Sequence, residues 1–189
     1  MADISITTAR KLRATAEPVE AAAAAPEPCW DLIELLFFAY RDFVGDPDEV
    51  LAKLGFGRAH HRVLHFVNRN PGMKVAELLV VLKITKQSLG RVLKQLIDDG
   101  YVVQKEGDND RRQRLLYATA AGEALAMKLA GLQAVRIQRV LADLGPDSRE
   151  AARRFLAGMI DAEDRERVLG LIARADSFAG RARGEDDAS

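Results

Sequence analysis

Several absences narrow what this chain can do. It has one cysteine, Cys29, which leaves no internal disulfide and no Cys-based zinc site. No apolar run approaches the ~20 residues needed to cross a bilayer. The N-terminus lacks the charged-then-apolar order of a signal peptide. There is no Gly-rich phosphate loop, no HExxH and no GxSxG, and the acids are scattered over predicted helix surfaces or near helix starts. The expectation is therefore a cytoplasmic protein of bacterial style with no membrane partner, no enzymatic activity, no cofactor and no bound metal. Net charge is zero, so the overall balance points to no nucleic-acid partner either.

The distribution of charge says more than its sum. The chain has 189 residues, 48% hydrophobic and 30% charged, enough for one ordinary or elaborated domain. Between Gly57 and Ala118 there are twelve Lys or Arg against six acids. That segment is +6 and the remainder −6. A basic middle in an acidic frame is the footprint of a DNA-reading lobe mounted on another scaffold.

Within that middle, residues 73–119 read as two helices and a hairpin. The first helix spans about Val75 to Leu82 and Lys83-Ile84 turns the chain. The second spans about Thr85 to Asp98, with Thr85 as N-cap and Gly100 just past its end. Leu89, Val92, Leu93, Leu96 and Ile97 recur at helical spacing as one buried stripe. The opposite face carries Lys86, Gln87, Ser88, Arg91, Lys94 and Gln95 and no acid. Such a face suits base edges and phosphates in a major groove, although an ordinary solvated helix presents a similar one. The hairpin shifts the balance. β-prone Tyr101–Val103 and Leu115–Tyr117 flank a turn rich in Gly, Asp and Asn, followed by Arg111, Arg112 and Arg114. A basic tip of this kind is a wing.

The flanks read as helices. The first runs from about Pro28 to Val44, with Trp30, Ile33, Leu36, Phe37, Tyr40 and Phe43 in register and Leu32, Leu35 and Phe38 widening the stripe. It is more apolar than one intrachain surface needs. Gly45 is expected to end it. A short helix should then restart with Asp46 as N-cap, Pro47 in its first turn and Glu49 closing a capping box. Another helix spans about Arg58 to Asn68, before the Asn70-Pro71-Gly72 break. A long helix from near Ala120 to Leu144 would reach almost 40 Å, overshooting a small winged domain. Two more follow Gly145-Pro146, reaching about Ile160 and then carrying Val168, Leu169 and Ile172. The resulting divisions are a disordered arm at 1–27 and a dimerisation helix with a short helix at 28–56. A winged helix-turn-helix follows at 57–119, C-terminal dimerisation helices at 120–176 and a frayed tail at 177–189. The arm could instead touch a partner or the minor groove through Arg10, Lys11 and Arg13. The fold class is mainly α with a small β-hairpin wing, and the unsatisfied seams at both ends predict a homodimer.

The order and spacing of these features resemble the MarR family of regulators over roughly residues 30–145. Ile84-Thr85-Lys86-Gln87-Ser88 matches the family's recognition-helix pattern. Asp110, Arg112 and Thr119 fall on its wing signature Asp-x-Arg-x(5)-Leu-Thr, with Ala118 in place of the Leu. The resemblance implies a dimer binding a palindromic site in double-stranded DNA, its recognition helices about one turn (~34 Å) apart. It implies Lys86, Gln87, Ser88, Arg91 and Lys94 in the major groove, Arg112 in the minor groove, Asp110 shaping the wing, and Arg111 and Arg114 on phosphate. It further implies repression relieved by a small-molecule effector. A winged scaffold for protein recognition is the alternative. A redox switch is another, because some relatives sense peroxide through a cysteine in the first helix. Their cysteine lies deeper, near Leu35, and no second thiol here resolves an oxidised one. The run His60, His61, His65 places two imidazoles at i and i+4, yet no third metal ligand is identifiable by spacing.

Overall fold

The computed structural model describes residues 27–107 and 113–186, with side chains to Phe178. Most of the N-terminal arm and the wing tip Asp110, Arg111 and Arg112 therefore lie outside the described residues. The elements in order are α1 (Trp30–Ala52), α2 (Arg58–Arg69), β1 (Met73–Lys74), α3 (Val75–Leu82), α4 (Lys86–Asp98), β2 (Val102–Glu106), β3 (Arg114–Ala118), α5 (Ala120–Leu144), α6 (Ser148–Gly158) and α7 (Ala162–Asp186).

The core sits where α2, α3 and α4 meet the sheet. Leu64, Val63, Val67, Leu78, Leu89, Leu96, Val102 and Leu116 are almost fully buried there. Leu51 from the end of α1 and Leu125 and Leu129 from the start of α5 join the same cluster, so both flanking helices are rooted in it. The stripe expected on α4 is the face that is buried. Burying such aliphatic side chains contributes about 1.5–3 kcal/mol apiece, which is what holds the lobe together.

The sheet has the order β1-β3-β2, all antiparallel. Val102 pairs with Ala118 and Glu106 with Arg114. The two-residue β1 was not foreseen. It is too short to show a period, and its pairing of Met73 with Leu116 depends on a partner more than forty residues away.

Three expectations need correction. The chain does not break at Gly45: α1 runs on through Asp46 and Pro47 to Ala52. Proline removes the amide that would bond the Phe43 carbonyl. The Gln133 side chain of α5 donates to that carbonyl at 3.4 Å, and Arg136 holds Asp46 at 3.0 Å. Pro47 itself is fully buried. Tertiary partners thus replace what the proline takes away, and Asp46 and Glu49 are helix-interior residues with no capping role. The second correction is at the C-terminus, where α7 continues to Asp186 and does not fray at Ser177. It is anchored by Leu171 against the core, by buried Ala175 and by an Arg69–Asp176 ion pair. The third is that α6 ends at Gly158, two residues short of Ile160.

Candidate nucleic-acid interface

The turn between α3 and α4 is fixed by three local devices. Glu77 accepts from the Lys74 amide at 2.9 Å at the start of α3. Lys83 ends α3 in the left-handed region, with φ 50°, and Arg62 donates to the neighbouring Leu82 carbonyl at 3.1 Å. Thr85 then caps α4: its hydroxyl oxygen accepts from the Ser88 amide at 3.1 Å and its hydrogen goes to the Ser88 hydroxyl at 2.9 Å. The Lys83 ammonium meets Asp164 and, at 3.6 Å, Asp161, tying the turn to the start of α7.

With the apolar stripe buried, α4 turns Lys86, Gln87, Ser88, Arg91 and Lys94 to solvent on one face. The first acid of the helix is Asp98, which pairs with Lys94 one turn away. Such an exposed pair is worth a few tenths of a kcal/mol and is readily exchanged for a phosphate. Gln95 departs from the sequence reading. It was expected on this face, but it is half-buried and faces the α1–α2 junction.

The hairpin stands beside this face. Arg114 bonds Glu106 at 2.8 Å across the strand pair, and Lys105 lies over the Tyr117 ring at 5.0 Å. The Gly107 amide donates to the Gln113 carbonyl at 3.1 Å and closes the base of the turn. At the other end, Thr119 explains its place in the wing pattern. Its hydroxyl donates to the Gly100 carbonyl at 2.7 Å and accepts from the Gly122 amide at 3.0 Å, while its own amide donates to the Tyr101 carbonyl at 3.1 Å. One residue thus caps α5 and pins the wing to the exit of α4.

The remaining candidates fall elsewhere. Cys29 is exposed just ahead of α1. His61 and His65 lie on α2, and burial pushes both imidazoles below their ordinary range; in His65, which keeps an exposed edge, His61 and Arg69 add to the shift. Among the described residues, no three His, Cys, Asp or Glu gather as metal ligands, and no helix is long and apolar enough to cross a membrane. A groove of about 1120 Å³ separates α7 from α2 and α3, with Phe66, Val80, Leu171 and Ile172 among its walls and Arg69 and Arg174 along it. Sequence reasoning missed it because no local pattern indicates where α7 lies.

Comparison with known proteins gives this arrangement a family. Residues 54–113, from the junction ahead of α2 to the wing, match the model of the MarR family. The chain is 46% identical over 129 residues to the HTH-type transcriptional regulator PetP of Rhodobacter capsulatus, covering 68% of this chain and 78% of the relative. It is 32% identical over 104 residues to an HTH-type transcriptional repressor of Mycobacterium tuberculosis, covering 54% of this chain and 75% of the relative. Its fold is similar to that of Streptococcus pneumoniae FabT, solved in complex with DNA, with a TM-score of 0.61 at 13% identity over 69% of this chain and 93% of that one. The Rhodobacter and Mycobacterium relatives are both named as transcriptional regulators, and neither as an enzyme. The capped helix-turn-helix, the antiparallel wing and the sequence matches agree that the chain belongs to the MarR family of winged helix-turn-helix transcriptional regulators.

Proposed function

We propose that the protein is a repressor that binds a palindromic operator in double-stranded DNA as a homodimer. The observation that carries this reading is the polar face of α4, acid-free up to Asp98, held by a capped turn beside a basic hairpin. In this reading Lys86, Gln87, Ser88, Arg91 and Lys94 serve the major groove. Arg112 enters the minor groove, where narrow A·T-rich sequence concentrates negative potential. Asp110 shapes the wing by pairing with Arg112, and Arg111 and Arg114 contact phosphate. Repression is the role named for the mycobacterial relative.

The homodimer is supported by the apolar surface that one chain leaves open. Every residue from Trp30 to Arg41 is exposed, with Trp30 at 65% and Phe37 at 68%. Val135 and Leu144 of α5, Phe155 and Leu156 of α6 and Met159 just past its end are exposed as well. Twelve helical residues this poorly covered, with Arg58 over the Tyr40 ring at 5.9 Å as a rare contact from another element, are marginal in water, and an apolar surface of this extent marks an interface. The groove beneath α7 joins the expected dimer helices to the DNA lobe and is large enough for a small-molecule effector. Release of DNA by such a ligand is part of the proposal.

The test is a selection of random DNA duplexes by the purified full chain at two salt concentrations, followed by sequencing. The expected result is an inverted repeat with half-sites about one turn apart and an affinity that falls steeply with salt. Arg112→Ala should weaken binding to that repeat with fold and dimer intact. Salt-sensitive retention with no enriched sequence would make the protein an architectural binder. No retention at all would favour protein recognition by the winged domain.

A further inference from the structure

We infer that His60 and Gln95 form a positioning pair, which fixes the angle of α4 against the α1–α2 junction and so governs how its outer face meets DNA. Neither residue has a role in the interface described above, and the inference rests on α4 being the recognition helix.

Three hydrogen bonds run in sequence. The Gly57 amide donates to Nδ1 of His60 at 3.1 Å. That bond requires Nδ1 to be an acceptor, so the proton of the neutral ring sits on Nε2. Nε2 then donates to Oε1 of Gln95 at 2.9 Å. The amide nitrogen of Gln95 in turn donates to the Gly55 carbonyl at 3.5 Å. The imidazole is stacked on Phe56, with ring centroids 4.8 Å apart and planes within 9°. Phe56 is itself buried edge-on against Tyr101, at the start of the wing. The ring therefore has one orientation, and both of its nitrogens are used.

Gln95 differs from the other polar side chains of α4. Lys94 turns to Asp98 and Ser88 to Thr85, each within its own helix or cap. Gln95 leaves the helix and grips the junction through which α1 enters the lobe. An apolar stripe fixes how deep a helix sits but resists a change of angle only softly, since hydrophobic contact is non-directional. Hydrogen bonds are directional. Lys86 and Gln95 are nine residues apart, or ~13 Å along the axis, so a tilt of ~5° at the Gln95 end moves the other end by ~1 Å. A displacement of that size spoils hydrogen bonds to base edges.

The variants separate positioning from folding. Asn at position 60 places its oxygen where Nδ1 was, keeping the Gly57 bond but falling short of Gln95. Gln at position 60 is long enough to reach Gln95. Binding would be measured by fluorescence anisotropy on a duplex recovered from the random-pool selection, at a temperature well below unfolding. His60→Asn and Gln95→Ala should each weaken binding about fivefold, and each should lower the melting temperature by no more than a few degrees, so that the chain stays fully folded at the assay temperature. The double variant should lose no more than either single one, the sign of a shared interaction. His60→Gln should recover most of the affinity. Arg91→Ala is the control for the recognition-helix reading. If Arg91→Ala weakens binding but His60→Asn and Gln95→Ala remain within twofold of the unaltered chain, or if their losses simply add, the positioning pair is refuted alone. If Arg91→Ala has no effect, the recognition-helix reading falls and takes this inference with it.

Discussion

Gly122→Ala tests the joint between the wing and α5 most directly. Gly122 is buried in the first turn of α5. A Cβ there would stand 2.0 Å from the Tyr101 carbonyl oxygen, 3.0 Å from its carbon and 3.4 Å from Leu64 Cδ1. The first of these is backbone and cannot rotate away, so α5 or the Tyr101 segment must shift by about 1.4 Å to reach ordinary contact. The shift acts on bonds already made. The Tyr101 carbonyl accepts from Thr119, and Thr119 holds both the Gly122 amide and the Gly100 carbonyl. Overpacking costs about 1–3 kcal/mol, and loosening the cap costs about 1 kcal/mol. Alanine's better helix propensity returns at most about 1 kcal/mol. The net expectation is destabilisation by about 2 kcal/mol, which for a chain of this size lowers the melting temperature by roughly 4–8 °C. Circular dichroism melts at one fixed protein concentration would measure it, since association also shifts melting. Gly131→Ala, where nothing lies within 4 Å of the added carbon, serves as the control and should be neutral or slightly stabilising. A Gly122→Ala chain that melts at or above the unaltered one would refute the close approach of α5 to the wing.

Two further outcomes follow from other parts of the molecule. His61 and His65 are held below the ordinary imidazole value of 6.5, chiefly by burial. As pH falls below that value the unfolded chain takes up protons that the folded chain refuses. Stability present above about pH 6.5 should therefore be lost on acidification, down to the depressed folded values, and His61→Gln should flatten the fall in urea-denaturation midpoint between pH 7 and pH 5.5. His65, which keeps an exposed edge, should contribute less. For the dimer, Phe37→Glu changes a side chain that a single chain leaves 68% exposed. It should leave the fold of one chain intact and convert a species of twice the chain mass to single chains in sedimentation velocity; an unchanged sedimentation coefficient would remove α1 from the interface.

The sequence alone determined those parts of the protein whose signals are local. Thr85 and Thr119 sit where hydroxyl caps are needed, Gly100 adopts φ 78° past the end of α4, and the spacing of Leu89, Val92, Leu93 and Leu96 assigns the buried face. Capping, positive φ and helical period are set by residues within one or two turns, so they are written into adjacent positions. The exposed polar face of α4 follows by subtraction. What the tertiary structure decided depends on residues far apart in the chain. Pro47 fails to break α1 because Gln133 and Arg136 reach across from α5. Met73 and Lys74 become a strand only because β3 is there to pair with them. The C-terminal helix persists past Ser177, with Leu171 and Ala175 packed against the lobe and Asp176 paired with Arg69. Gln95, polar and on the face that seemed turned to DNA, is drawn inward because His60 and the Gly55 carbonyl offer it partners. In each case a local preference worth about 1–3 kcal/mol is outweighed by contacts that exist only once the chain has closed on itself.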